Sequence, residues 1–416
     1  MKIFKFGGAS VKDAIGVKNI VNVLQNTDVN HILMVISAMG KMTNAFEKIV
    51  DAYIINDKAL RVLIDEVRNY HLTIANELFS DKRHDIFFEI EKYLMTMSGF
   101  MIQNKNRDYD FIYDQIVPIA ELISTKIVSH YLNDVGVKNT WIDVRDCIKT
   151  NSDFREAKVD WKITEQNIKA AILPKKLYIT QGFLAGDTNG NTTTLGREGS
   201  DYSAGIFAYC LDAESLTIWK DVDGVLNADP RYFTTTQLLQ KISYTEAIEL
   251  AFYGASVIHP KTLQPLQKKE IPLYVKSFLN PKGTGTTVSR DQYITPETPC
   301  FIVKKNQILL SISSLDFSFI VEQNISEIFE LLHQHKMKVN LIQNSAISFS
   351  VCLEDNYHNF EKLLVVLKTN YKIDFFNEVS LYTIRHFDAA AVNKIEKTNN
   401  VLLKQSTIKT IQMVIQ

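Results

Sequence analysis

The chain has 416 residues, of which 46% are hydrophobic and 22% charged, and its formal net charge is −1. Such a chain exceeds one ordinary core and folds as two or three domains, and its charge balance gives no basis for a nucleic-acid or membrane-surface partner. Its four cysteines are scattered without a C-x-x-C pair, and no run reaches the roughly 18 apolar residues of a membrane span. With too few apolar residues near Lys2 and Lys5 for a signal-peptide core, the expected location is the cytoplasm.

In chain order, Lys2–Phe6 reads as a strand, and Val11, Ile15, Val17, Val21 and Leu24 have helical spacing. The junction, FKFGGASVKD at 4–13, puts Gly7 and Gly8 where a backbone can offer N–H groups to an anion, with Lys5 before them. Ser10 is placed to cap the helix. These residues read equally well as a phosphate cradle or as a tight turn beside a surface lysine. HILMVIS at 31–37 is a run of buried-strand length. Residues 43–133 carry one proline and one glycine, with apolar positions at helical spacing, and form a mostly helical block. Strands return at Thr140–Val144, Leu177–Thr180 and Ser215–Trp219, so the pattern is a largely parallel sheet covered on both faces.

Near residue 280 the texture changes, and NPKGTGTTVSRDQYITPETPC marks a domain junction. Beyond it come strand Gln307–Ser313, helix Ile325–His335, strands Val339–Ile342 and Ser345–Leu353, helix Phe360–Thr369 and strand Lys372–Phe376. A shorter βαββ run follows: Ser380–Arg385, Ala389–Lys397, Val401–Gln405 and Ile408–Ile415. The two look like one small fold used twice, serving either ligand binding or simple dimerisation.

Three loops behind strands carry the chemistry. TQGFLAGDTNGNTTTLGREGSDYSAG at 180–205 supplies six glycines, Arg197 as a planar fork for a carboxylate or phosphate, and Asp201. Asp201 in a lone Gly-Ser-Asp would read as a helix cap, but the composition of the whole turn favours a ligand-facing role. WKDVDGVLNADPR at 219–231 and FYGASVIHPKT at 252–262 add Asp221, Arg231, His259 and Lys261. No P-loop, G-x-G-x-x-G turn, H-E-x-x-H or protein-kinase signature is present, so phosphoryl transfer here needs another scaffold.

Taken together these segments resemble the aspartokinases of the amino-acid kinase superfamily, with a tandem ACT-type region, over almost the whole chain. KFGGAS at 5–10 is similar to the family's KFGGTS loop, and TTTLGREGSD at 192–201 to TTTLGRGGSD, with Glu198 replacing a glycine. DVDGVLNADPR at 221–231 and GASVIHP at 254–260 resemble two further family loops. IAELIST at 119–125 resembles the His-Gly-Glu-Leu-x-Ser-Thr helix, with Ile119 and Ala120 in place of His-Gly.

The resemblance implies a three-layer αβα catalytic domain with a mainly parallel sheet at 1–290, including the helical block at about 50–133. It implies a linker at 291–303, then α+β, ferredoxin-like ACT units at 304–378 and, truncated, at 379–416. The implied reaction phosphorylates the β-carboxylate of L-aspartate with ATP and Mg²⁺, toward lysine, threonine and methionine. Lys5 and Asp201 would be catalytic. Glu121 would hold the substrate ammonium and Arg197 its α-carboxylate, with Phe183 and Ser200 nearby. Lys5, Gly7, Gly8, Ser10, Lys220, Asp221, Leu226, Arg231 and Lys261 would bind the nucleotide. Ser256 stands where many members carry a lysine, and Lys220 or Lys261 could supply that charge. Ser313, Ser314, Val339, Asn340, Asn344 and Ser345 would line an effector site for lysine or threonine, although Asn340 and Ala346 replace usual carboxylates. A homodimer through the ACT-like units is implied as well. The rival expectations are a kinase for a related acid such as glutamate, which one methylene separates by only about 1–3 kcal/mol, and an amino-acid sensor whose kinase half has decayed.

Overall fold

The computed structural model describes residues 1–27, 31–255, 258–290 and 293–416. Two compact units account for them. The first is Met1–Val225 with Leu238–Ile248 and Val257–Ile294; the second is Leu226–Gln237 with Glu249–Ser256 and Thr295–Gln416. The second unit thus takes in two stretches from inside the segment expected as the catalytic domain.

Apolar runs build the first unit's sheet from β1 (Lys2–Phe6), β2 (Ile32–Ile36), β3 (Thr140–Trp141) and β4 (Leu177–Gln181). A hairpin, β5 (Leu184–Gly186) and β6 (Thr192–Thr194), stands apart. The sheet continues with β7 (Ser215–Lys220), β8 (Lys241–Ser243), β9 (Leu273–Ser277) and β10 (Thr286–Ser289). Among the described residues its order is β3-β4-β2-β1-β7-β9-β10-β8, and every neighbouring pair is parallel except β9–β10. All five residues of β2 are buried, as a parallel strand covered on both faces requires. Because β1 lies between β2 and β7, Lys5 sits opposite both Val35 and Ile218.

Helix Ala14–Gln25 presents Ala14, Val17, Ile20 and Leu24 to the core. Its cap is Asp13, whose carboxylate accepts from the Gly16 N–H at 2.7 Å, and not Ser10. A short 3₁₀ turn, Gly8–Val11, intervenes, and the buried Ser10 hydroxyl donates to the Trp219 carbonyl instead. The expected helical block consists of Met42–Ile54, Leu60–Leu78, Asp85–Gln103, Tyr109–Ile116 and Ile119–Asp134. The expected strand at 140–144 ends early, because Asp143 caps the short helix Val144–Cys147. No helix of the described residues is long and apolar enough to cross a membrane.

The second unit is one antiparallel sheet. Its strands are β11 (Cys300–Ser314), β12 (Lys338–Asn344), β13 (Ser348–Glu354), β14 (Tyr371–Arg385), β15 (Val401–Ser406) and β16 (Thr410–Ile415). Their order is β12-β13-β11-β14-β16-β15. The strands expected at 372–376 and 380–385 are a single strand, and β11 begins inside the segment expected as linker. Leu309–Ser314 pairs with the first part of β14 and Cys300–Lys304 with the last, across a register shift between Lys304 and Leu309. The two half-units therefore share β11 and β14. The first half is covered by helices Glu322–Gln334 and Phe360–Leu367, the second by Ala389–Glu396.

Trp219, at the end of β7, is 1% exposed and stacks on Phe6, with centroids 6.2 Å apart and planes 11° apart, while Phe4 meets it edge-on at 5.6 Å. Trp219→Ala is expected to destabilise the protein by about 3–5 kcal/mol in urea unfolding. Trp219→Phe should cost much less, because the indole N–H has no hydrogen-bond partner among the described residues.

Candidate active site

The turn after β1 is built around a close backbone approach. A Cβ at Gly8 would stand 2.6 Å from the Gly40 carbonyl oxygen and 2.9 Å from that of Ala38, so only glycine fits. The Gly40 N–H donates back to the Gly8 carbonyl at 3.0 Å, locking the first turn to the one after β2. A Cβ at Gly7 would lie 3.4 Å from Lys5 Nζ, so glycine there leaves the approach to the ammonium open.

Lys5 and Asp201 are 8% and 3% exposed, and Lys5 Nζ lies 2.5 Å from Asp201 Oδ1. Asp201 comes from the first turn of helix Gly199–Cys210, where its N–H bonds the Glu198 carbonyl. The cap position belongs to Glu198, so Asp201 is not the cap. Glu198 has a left-handed backbone, φ 54° and ψ 29°. Burial pushes its carboxyl up, as does Asp201, while Lys220, Arg197 and Lys5 pull it down. Its Oε2 is buried without a hydrogen-bond partner among the described residues. Gly182 seats the helix start, since a Cβ there would fall 2.5 Å from Ser200 Cβ. Phe183, at φ 76°, donates its N–H to the Ser203 hydroxyl and packs on Gly199.

Hairpin β5–β6 delivers Arg197. Asp114, held up near 6 by burial, accepts from the Thr194 N–H and hydroxyl and fixes the hairpin's second strand. Gly196 then turns at φ 77°, and the exposed Arg197 lies close enough to Glu198 and His259 to act on both.

Glu121 is 2% exposed in a helix whose neighbouring Ile119, Ala120, Leu122 and Ile123 are all buried. Burial pushes its carboxyl up to about 8, although the Ala38 N–H and the Thr43 hydroxyl donate to it. Its Oε2 has no hydrogen-bond partner among the described residues. An open oxygen on a buried carboxyl is a place for a hydrogen-bond donor, and a cation there would draw off the proton. Ala38 thus touches both ends of the site, through its carbonyl against Gly8 and its N–H on Glu121.

The other expected site residues are distributed as follows. Ser200 is buried at the helix start, Lys220 is half-buried and acts on Glu198, and Asp221 is exposed beyond β7. Lys261 begins helix Pro260–Lys269 and donates its N–H to His259 Nδ1. Burial lowers the His259 pKa, as do Lys261 and Arg197. Leu226 and Arg231 belong to the second unit, where Arg231 closes on Asp229 at 2.6 Å. Ser256 lies outside the described residues.

The effector candidates fall in two places. Ser313, Ser314, Asn344 and Ser345 sit at strand ends, with Ser314 Oγ donating to the Ser318 carbonyl and Ser345 Oγ 2.8 Å from Ser348 Oγ. Val339 and Asn340 lie at a bulge at the other end of β12. There Asn340 accepts from Lys304 Nζ at 2.8 Å and donates to Gln307 at 2.7 Å. The Ala346 carbonyl only receives the Ile320 N–H.

Sequence reasoning passed over Thr43, Gly182 and the part played by Glu198. SAMGKMTN at 37–44 carried the signal for Thr43, since a glycine and a threonine follow a buried strand there. Among the described residues no three His, Cys, Asp or Glu side chains converge on a metal position. The carboxylates of Glu198 and of Asp201, the latter already paired with Lys5, are oxygen donors of the type a hard divalent ion accepts.

Residues 1–277 match the model of the amino acid kinase family. The lysine-sensitive aspartokinase 3 of Escherichia coli (strain K12) is 31% identical over 355 residues, spanning 85% of this chain and 78% of that protein. The crystal structure of E. coli aspartokinase III with aspartate and ADP superposes with a TM-score of 0.82 at 27% identity, covering 100% of this chain and 96% of the other. The complex of the same enzyme with lysine and aspartate gives 0.83 at 27% identity, covering 100% and 95%.

Glu121 also sets a pH dependence. The folded protein keeps a proton up to about 8 that the unfolded chain releases near 4.5, so this contribution is complete below 4.5 and is lost as pH rises through 8. The melting temperature should fall between about pH 5 and 8, and Glu121→Gln should flatten that fall. Parallel curves for the two proteins would contradict it.

Proposed function

The chain belongs to the amino acid kinase family and, within it, to the aspartokinases, and from that premise we propose residue roles for the transfer of the ATP γ-phosphoryl group to the β-carboxylate of L-aspartate. One observation carries the assignment: the buried Lys5–Asp201 ion pair stands off a glycine turn locked to the segment that also donates to the open carboxylate of Glu121.

The nucleophile is a carboxylate, already ionised at neutral pH, so the site needs no strong base. Catalysis is positioning and neutralisation of charge. Gly7 and Gly8 let backbone N–H groups approach the phosphates, and Lys5 stabilises charge on the group in flight. Asp201 holds the Lys5 ammonium in place. Arg197 grips the α-carboxylate of aspartate as a bidentate fork, and Glu121 takes the α-ammonium on its unpartnered oxygen. That demand for both free charges disfavours N-acylated acids. Phe183 and Ser200 shape the pocket between these two groups. Mg²⁺ bound with ATP supplies further neutralisation of phosphate charge, and Asp201 with Glu198 are the residues that would hold it. Lys220 is the cation best supported as a further phosphate contact, because it already lies beside Glu198.

The second unit is read as a regulatory unit for an amino-acid effector, lysine or threonine, and as the surface that pairs two copies of the chain. Exposed Leu315, Phe317 and Phe319, close together in the segment after β11, support the pairing, since clustered large apolar side chains call for a cover. Asn340, engaged by Lys304 and Gln307, does not supply the carboxylate that a lysine ammonium would seek.

The deciding experiment is ADP release from ATP and Mg²⁺ with L-aspartate, L-glutamate or N-acetylglutamate, with hydroxylamine trapping acyl phosphate. Aspartate alone should yield hydroxamate, and turnover with none of the acids would refute the roles given. Lys5→Met should lower kcat by about 10²–10³-fold. Arg197→Ala should act mainly through a raised KM for aspartate.

A further inference from the structure

We propose that the first unit holds a second small-molecule site behind the helix that carries Glu121, built for a carboxylate with an apolar body, and that its occupancy is coupled to the binding of aspartate. The cavity is independent of the kinase roles above, and only the coupling rests on them.

The cavity measures about 340 Å³, within the range of small-ligand sites, and lies between helices Asp85–Gln103 and Ile119–Asp134 and hairpin β5–β6. Ile119, Leu122 and Lys126 line it from one face of the second helix, more than a quarter-turn round from Glu121. Neither Lys5, Glu121, Arg197 nor Asp201 lines it.

Its lining is divided. Met97, Phe100, Ile119 and Leu122 form an apolar wall, and all but Phe100 are buried. The charged residues are Glu89, Lys92, Lys126 and Arg145, and most of them are already matched. Arg145 closes on Asp143 at 2.6 Å, and Lys126 lies 3.1 Å from Glu89. The exposed Lys92 is left over, since its ammonium has neither a hydrogen bond nor an ion pair among the described residues. Beside it, the half-buried Tyr93 hydroxyl has no hydrogen-bond partner among them either. Burial pushes that hydroxyl up to about 12, with Asp143 and Glu89 adding to the shift and Arg145 opposing it, so it stays a donor at neutral pH. A cation and a neutral donor beside an apolar wall match one carboxylate with hydrocarbon behind it.

The cavity also touches both supports of the aspartate pocket proposed above. One wall is the helix of Glu121. Another includes Thr192, in the hairpin strand that runs on to Arg197. Arg145 donates to the Thr192 hydroxyl at 3.2 Å, while Gln115 donates to its carbonyl at 2.9 Å and accepts from its N–H at 3.2 Å. A body seated between helix and hairpin binds with a strength that depends on their spacing. Aspartate, held by Glu121 and Arg197, depends on the same spacing, so the two ligands alter each other's affinity by one common factor.

The test uses hydrocinnamate as the probe and hydrocinnamyl alcohol as its uncharged counterpart. Each is titrated calorimetrically into the full-length protein with Mg²⁺ and ADP, with and without L-aspartate. The acid should bind about tenfold more tightly than the alcohol, and Lys92→Gln should remove that preference. Tyr93→Phe should weaken the acid by a smaller factor. Added aspartate should move the Kd of the acid by about fivefold to a plateau. Failure of the acid to bind at millimolar concentration would overturn the site, as would equal binding of acid and alcohol, or acid binding untouched by Lys92→Gln. A Kd that climbs without limit as aspartate is added would place the probe in the aspartate pocket and overturn it too. A Kd indifferent to aspartate would overturn the coupling. Absence of aspartyl hydroxamate from wild type would instead count against the kinase roles, and the comparison of acid with alcohol would still read on the cavity.

Discussion

No side chain fits at position 8, and the site's geometry depends on that exclusion. Because Gly8 comes against the carbonyl oxygens of Ala38 and Gly40, the turn after β1 and the turn after β2 become one object. The first turn carries the open backbone beside Lys5, and the second carries the N–H and hydroxyl that hold Glu121. A parallel sheet puts these turns on the same side, but only contact at this range sets their spacing. Gly182 repeats the device one strand over, where the Ser200 side chain fills the space a Cβ would need.

Around that frame the charges are arranged with few spare partners. Lys5 and Asp201 form a close ion pair in a nearly dry setting, and Glu121 and Glu198 each keep an oxygen that accepts no hydrogen bond among the described residues. Leaving buried carboxylate oxygens without hydrogen bonds works against stability. In the proposed roles, the open Glu121 oxygen is where the substrate ammonium belongs.

Much of this was legible from sequence, because each glycine loop follows an apolar strand. KFGGAS, TTTLGREGSD and the helix around Glu121 lie where the pattern of strand and helix puts them. The misses have physical causes. Ser10 looked like a cap because it precedes a helix, but a 3₁₀ turn moved the helix start to Ala14 and handed the cap to Asp13. The strand after Thr140 shortened because the Asp143 side chain competed for the backbone. Thr43 was hidden in a segment whose only mark was a single glycine. Asn340 could be placed on a strand, but not its bond to Lys304, which comes from a strand two places away in the sheet. The joining of two expected strands into β14 was missed for a similar reason, since hydrogen bonding to one equally long neighbour, β11, spans both.

That pairing has a mechanical consequence. Two fifteen-residue ribbons run through both halves of the C-terminal sheet, so the halves are coupled by continuous backbone in place of a linker. Twist imposed on one half, by a bound molecule or by a neighbouring subunit, is carried along the strands and cannot be absorbed by a loop. The slack in the ladder is concentrated at the irregular stretch from Lys304 to Leu309. Torsional stiffness is therefore high along each ribbon and low at that one joint, where Lys304 itself reaches across to the edge strand. A sheet built this way responds to load as two plates on a common axle, and the residues at the joint set how far one plate turns the other.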